Sequence, residues 1–228
     1  MSATIRARAR LAGLLYFIAG VGGGFAEVFV RGKLVVSGDA AATAANILAH
    51  ESLYRFGGAA DLIGLVGDAA LALIFYELFK PAGKSLSLLA AFFRLTFVAV
   101  MAGNTLNHFA ALVFLKDAPA HVLQALRLHS LGYNIALVFF GFTCIFLGCL
   151  VYRSTFMPRL VGIVMAIAGV GYLINSFVHF LAPAFGTYAF RYILVPSGMG
   201  EMVFILWLLV MGVNSERWKE RAGQTYGR

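Results

Sequence analysis

Charged side chains are scarce in this sequence of 228 residues, where Asp, Glu, Lys and Arg make up 12% and hydrophobic residues 61%. Soluble globular domains carry about 25% charged residues, so this composition excludes an ordinary soluble domain. The apolar residues instead form six separate runs, with most charges between them. Each run is long enough to cross a bilayer, which takes roughly 20 mainly apolar residues. The composition therefore predicts an integral membrane protein.

Cysteine is also rare, and the two cysteines, Cys144 and Cys149, lie in the same apolar run. Side chains five positions apart on a helix diverge by roughly 140°, which disfavours a disulfide between them. We interpret both as small residues that pack between helices.

Motifs of common catalytic and cofactor sites are missing as well. The sequence has no HxxxH, HExxH or CxxC spacing for a metal, no GxSxG for a nucleophilic serine, and no GxGxxG for a dinucleotide. We therefore expect no metal and no cofactor, and an enzyme is the less favoured class of protein.

A surplus of basic residues gives a formal net charge of +8. These residues lie at the ends of the apolar runs, where lipid headgroups attract them, and they do not form one solvated face. The charge pattern thus predicts the lipid bilayer as a partner and no nucleic acid, and it leaves any protein partner unknown.

The apolar runs predict an all-α, single-domain bundle of six transmembrane helices. A short interfacial helix should follow Asp39 in the long first connection, since aspartate caps helix N-termini. The predicted spans are residues 11–30, 56–79, 85–115, 131–152, 160–181 and 192–213, followed by a basic tail at 214–228.

Basic residues also predict the orientation. Eleven lie at the ends of the spans on the side of the termini and six on the opposite side. Cytoplasmic loops carry the excess of Lys and Arg, so we expect both termini in the cytoplasm.

Polar residues inside the spans mark a candidate site, because a charge at mid-bilayer costs roughly 2.5–3.5 kcal/mol on insertion scales. Most of these residues are expected in the half of the bundle opposite the termini, or near its middle. They predict a polar pocket that opens to the outside. Its predicted lining is Asp61, Asp68, Arg94, Asn104, His108, His129, Tyr133, Asn175, His179 and Glu201.

Two ion pairs are expected near this pocket. Asp68 and Arg94 lie at one depth on spans joined by a short turn, so they should pair, with Glu201 as a third member. Glu27 and Arg31 are four residues apart and should form a local pair. The GxxxG spacing of Gly20 and Gly24 is typical of close helix contact.

Six segments are typical of a known family: ARLAGLLYFIAG, AEVFVRGKLVVSGDAAATAANI, RFGGAADLIGLVGDAALAL, LLAAFFRLTFVAVMAGN, LHSLGYNIALVFFGFTCIFLG and GVGYLINSF. Together they resemble the bacterial membrane proteins grouped as domain of unknown function 4386. The resemblance implies a bacterial six-span protein, which we expect in the cytoplasmic (inner) membrane, and it brings no activity with it. Thr143 stands where the family often has histidine, and Asn175 where it often has aspartate. A metal site common to the family would therefore lack ligands here.

Three functions remain open from the sequence. The leading hypothesis is binding or translocation of a small ligand or ion through the polar pocket. The first alternative is a membrane-embedded enzyme that depends on a metal or a quinone. The second is a regulatory or structural membrane subunit, whose polar residues only specify helix packing.

Overall fold

Six long apolar helices form the structure, a computed structural model that describes residues 2–226. No β-strand occurs within that range, so the predicted all-α bundle of six membrane-spanning helices is confirmed. The spans cover Thr4–Leu34, Glu51–Ala82, Lys84–Lys116, Pro119–Arg153, Arg159–Leu181 and Phe190–Val210. The α-helices are α1 (Ser2–Gly24), α2 (Gly32–Leu34), α3 (Ala40–Ala49), α4 (Glu51–Phe79), α5 (Lys84–Asp117), α6 (Pro119–Arg153), α7 (Arg159–Leu181), α8 (Gly186–Ala189), α9 (Val195–Val210) and α10 (Ser215–Tyr226).

The six spans are arranged as a closed ring in the order of the chain. Each span packs against the next, and the sixth returns to contact the first. Neighbouring spans are antiparallel, since short connections bring successive helices back across the bundle. Large apolar side chains such as Ile63, Val66, Leu106 and Leu160 point outward and are exposed, as expected for a surface that faces lipid.

The first span is interrupted by a π-helical segment, Phe25–Arg31, before it continues as α2. A π-helical turn changes the direction in which the following side chains point, and such turns are frequent at functional sites. The segment places Val30 and Arg31 inside the bundle, where both are buried. A second π-helical segment, Phe190–Leu194, leads into α9.

Glycines hold the fourth and fifth spans in direct backbone contact. A Cβ added to Gly148 would lie 2.6 Å from the carbonyl oxygen of Gly162. A Cβ on Gly169 would lie 2.5 Å from the carbonyl oxygen of Gly141. Small residues permit this approach in membranes, where close packing stabilises helix pairs.

The helices α3 and α10 lie outside the six spans, at opposite ends of the ring. In α3, the side chain of Asp39 accepts a hydrogen bond from the amide of Ala42 at 2.8 Å, as the predicted N-cap requires. The predicted basic tail forms α10, and its Trp218 Nε1 donates to the carbonyl oxygen of Leu78 at 2.8 Å. Residues 1, 227 and 228 lie outside the described residues. The predicted domain includes all three positions, and the predicted tail includes the last two.

Candidate functional site

A cavity of about 480 Å³ lies at the centre of the ring. Its ionisable lining includes the carboxylates of Asp61, Asp68 and Glu201 and the guanidinium of Arg31. The rest of the wall is mainly apolar and aromatic, so the few charged groups act in surroundings of low dielectric constant. The aromatic part of the lining is Tyr16, Phe97, Tyr133, Phe140 and Tyr172.

The predicted pair of Asp68 and Arg94 is confirmed, with Nη2 of Arg94 donating to Oδ1 of Asp68. Arg94 is only 1% exposed. Its guanidinium carbon lies 4.3 Å from the ring centroid of Tyr16 and 5.7 Å from that of Phe140. The aromatic rings and the carboxylate replace part of the water that a guanidinium would lose on burial, since Nε and Nη1 of Arg94 have no hydrogen-bond partner of normal geometry among the described residues.

Glu201 is not the third member of that ion pair, contrary to expectation. Its Oε2 accepts a hydrogen bond from the hydroxyl of Tyr172, one span away. No Lys, Arg or His among the described residues lies within ion-pair distance of it. Glu201 lies on the sixth span and Arg94 on the third. These two spans are not neighbours in the ring, so the distance between the two side chains is set by how the ring closes. Glu201 is thus the cavity carboxylate without a cationic partner.

Arg31 is a site residue that the sequence reasoning missed. Its Nη1 donates to Oδ2 of Asp61 at 2.7 Å, and its Nε donates to Oε2 of Glu27 at 2.8 Å. The expected local pair with Glu27 is therefore present, but it is part of a larger cluster. Arg31 is only 7% exposed because the π-helical segment keeps it inside the bundle. Its position after an apolar run had indicated a loop residue at the membrane surface.

The two predicted histidines of the third and fourth spans lie at helix contacts. His108 stacks on Tyr54, with ring centroids 4.1 Å apart, and its Nε2 is 3.1 Å from the carbonyl oxygen of Tyr54. His129 Nδ1 is 3.3 Å from the carbonyl oxygen of Asn104, whose Nδ2 donates to the carbonyl oxygen of His129 at 2.9 Å. These contacts join three successive spans, so Asn104 and both histidines position the helices.

Two smaller cavities adjoin the central one. His129 lines one of about 270 Å³, and Asn175 and His179 line another of about 140 Å³. We had expected His129 and Asn175 in one cavity; they lie in neighbouring ones that share Glu27 and Tyr133. Asn175 Nδ2 donates to Oδ1 of Asn134 at 3.0 Å, which ties the fifth span to the fourth.

The ten predicted pocket residues thus divide into three groups. The central cavity is lined by Asp61, Asp68, Tyr133 and Glu201. The smaller cavities include His129, Asn175 and His179 in their linings. Arg94, Asn104 and His108 are buried at helix contacts and are not among the residues that line these three cavities.

Metal ligands do not converge in the part of the chain that the structure describes. Within residues 2–226, no three His, Cys, Asp or Glu side chains are close enough to hold a metal ion. Thr143, one of the two noted departures from the family pattern, donates its hydroxyl to the carbonyl oxygen of Phe139 at 3.0 Å.

Comparison with known proteins places this architecture in a family. An uncharacterized protein from Archaeoglobus fulgidus is 31% identical over 150 residues, which cover 65% of this chain and 78% of that protein. No solved structure matches the chain. Residues 11–212 match the family described as Domain of unknown function (DUF4386), a range that contains the last five spans and the first span from Leu11 onward. The resemblance seen in the sequence is confirmed, and the chain belongs to this family of membrane proteins.

Proposed function

We propose that this protein binds a small ligand or ion in the central cavity, inside the membrane. The observation that carries the proposal is the lining of this 480 Å³ space, where three carboxylates and the guanidinium of Arg31 meet a wall that is otherwise mainly apolar and aromatic. Intramembrane carboxylates are costly and are retained where they have a partner or a function. Asp61 and Asp68 have arginine partners, whereas Glu201 does not. The proposal includes translocation of the bound ligand or ion across the membrane.

Filling the cavity tests this function. A Cβ added to Gly23, which lines the cavity, meets no atom within 4 Å, so Gly23→Phe should occupy the space while the helix persists. Gly103→Phe is the matched control, because Gly103 has equal room, lies on the third span, and is outside the cavity lining. Each protein is purified in lipid nanodiscs, and small molecules that remain bound are extracted and quantified by mass spectrometry.

We expect wild type and Gly103→Phe to carry the same small molecule. Gly23→Phe should carry at least tenfold less of it, since the ring takes the ligand's place. A wild-type protein without any bound molecule would contradict the proposal. So would a Gly23→Phe protein that retains the molecule at the wild-type ratio.

We also propose that both termini lie in the cytoplasm of a cell whose inner membrane holds the protein, from the distribution of basic residues. In this orientation Ala40 faces outward and Arg217 faces the cytoplasm. Ala40→Cys should react with a membrane-impermeant maleimide in intact cells, whereas Arg217→Cys should react only after permeabilisation. Wild type measures the background from Cys144 and Cys149. The reverse labelling pattern would invert the orientation.

The two alternatives from the sequence remain hypotheses. A stoichiometric metal, haem or quinone in the purified protein would favour the enzyme. A protein that co-purifies in fixed ratio, together with an empty cavity, would favour the regulatory or structural subunit.

A further inference from the structure

The first and sixth spans touch at one end and separate towards the other. A Cβ on Gly13 would lie 2.4 Å from the amide nitrogen of Leu209, so the two backbones are in contact there. Two turns further along, a Cβ on Gly20 would lie 3.8 Å from Cδ1 of Ile205. A Cβ on Gly24 would meet no described atom within 4 Å. A Cβ on Gly20 would thus reach only ordinary van der Waals distance from the sixth span, so the close contact expected at these two glycines is absent and a gap opens towards Gly24.

This gap connects the central cavity with the outer surface of the ring. Met199 and Val195 line the cavity and are nevertheless 68% and 47% exposed. Gly20 and Gly24 line it from the first span and are also exposed. Surface between two membrane-spanning helices faces lipid, so a molecule dissolved in the bilayer can reach the cavity from the side. A ligand on this route must be lipophilic.

The charges in the cavity indicate the sign of such a ligand. Arg31 offsets Asp61, and Arg94 offsets Asp68. Glu201 accepts a hydrogen bond from the hydroxyl of Tyr172, and no Lys, Arg or His of the described residues lies within ion-pair distance of it. The hydroxyl of Tyr16, which is 2% exposed and lines the same cavity, has no hydrogen-bond partner of normal geometry among the described residues. A carboxylate in this position is stabilised by a cation that enters the cavity.

The wall favours an organic cation over a metal ion. Calcium in proteins is held by several carboxylate and carbonyl oxygens, whereas Glu201 is the one carboxylate among the cavity residues of the described chain that has no arginine partner. Aromatic faces attract organic cations, and Phe97, Tyr133 and Tyr172 line the cavity. Methionine adapts to ligands of different shape, and Met101, Met199 and Met202 complete this part of the wall.

We propose that the cavity binds a lipophilic organic cation, which enters from the bilayer between the first and sixth spans and pairs with Glu201. This inference rests on the proposed function and adds to it the class of ligand and its route.

Binding of tetraphenylphosphonium to the full chain in lipid nanodiscs tests the inference, with empty nanodiscs as the blank. We expect saturable binding of one ion per protein. Tetraphenylborate has the same shape and the opposite charge, so it should show no binding above the blank. The small, water-soluble cation tetramethylammonium should not displace tetraphenylphosphonium at equal concentration.

A matched pair of variants tests the role of the carboxylate. Glu201→Gln should weaken binding of tetraphenylphosphonium at least tenfold, because it removes the charge and keeps the size of the side chain. Glu77→Gln makes the same change beside Lys80, outside the cavity, and should leave binding unchanged. The comparison of the two tetraphenyl ions needs only wild type, so it remains decisive if Glu201→Gln does not fold.

The outcomes separate this inference from the function on which it rests. Equal binding of tetraphenylborate, or undiminished binding by Glu201→Gln, would overturn the cationic class and leave the cavity as a binding site. Displacement by tetramethylammonium would overturn the lipophilic route. If neither tetraphenyl ion binds while Gly23→Phe still removes a co-purifying molecule, the ligand class is wrong and the proposed function holds.

Discussion

Replacing Arg94 by methionine or Asp68 by asparagine is expected to destabilise the folded protein by about 3–5 kcal/mol in each case. Each change leaves its partner buried without a counter-ion: Arg94 is 1% exposed, and the side chain of Asp68 is buried as well. The double variant removes both charges, so it should lose much less than the sum of the two single losses. Methionine also keeps an unbranched side chain against the rings of Tyr16 and Phe75.

A double-mutant cycle on reversible unfolding in mixed micelles measures this coupling. The control is the pair of Glu51 and Arg55, which has the same chemistry but is largely exposed. Removing either of its members should change the free energy of unfolding by less than about 1 kcal/mol. Additive losses for Asp68 and Arg94 would show that the two side chains do not stabilise each other.

Replacing Arg31 by glutamine should lower the free energy of unfolding by a comparable amount, because this one side chain forms ion pairs with two carboxylates. We expect a loss of about 3–5 kcal/mol, dominated by Asp61, whose side chain is buried. The side chain of Glu27 is 39% exposed and can be solvated without Arg31. The second replacement Asp61→Asn should therefore restore much of the lost stability, whereas Glu27→Gln should restore little.

Thermal unfolding of the single variant and the two double variants in the same micelles shows which second replacement restores more stability. Folded yield from gel filtration accompanies each measurement, since the single variant is the one expected to aggregate. Equal rescue by Asp61→Asn and Glu27→Gln would show that the two carboxylates contribute alike. No rescue by either would show that Arg31 stabilises the bundle by packing alone.

The pairing of Asp68 with Arg94 could be predicted because it depends only on how deep each residue lies in the membrane. Two antiparallel helices joined by a short turn place residues at equal distances from the turn side by side. The same reasoning failed for Glu201, which shares their depth but lies on the sixth span. There the partner is Tyr172, on the span next to it in the ring.

Arg31, Tyr54 and Tyr16 could not be assigned from the sequence, for different reasons. A basic residue after an apolar run normally lies at the membrane surface, and only the π-helical segment keeps Arg31 inside. Tyr54 precedes the predicted second span, yet its ring stacks on His108. Tyr16 is one aromatic residue among many in an apolar run, and nothing in the spacing shows that it faces the cavity.

The all-α architecture with six spans follows from the apolar runs of the sequence. In lipid, a backbone segment must satisfy its own hydrogen bonds, so each long apolar run has one stable state, the helix. The rotation of each helix about its axis, by contrast, became known from the packing of the helices against one another. In a membrane the side chains that face lipid are as apolar as those that face the core, so periodicity does not distinguish the two faces. The central cavity, the isolation of Glu201 and the gap beside the first span all follow from those rotations and from the closure of the ring.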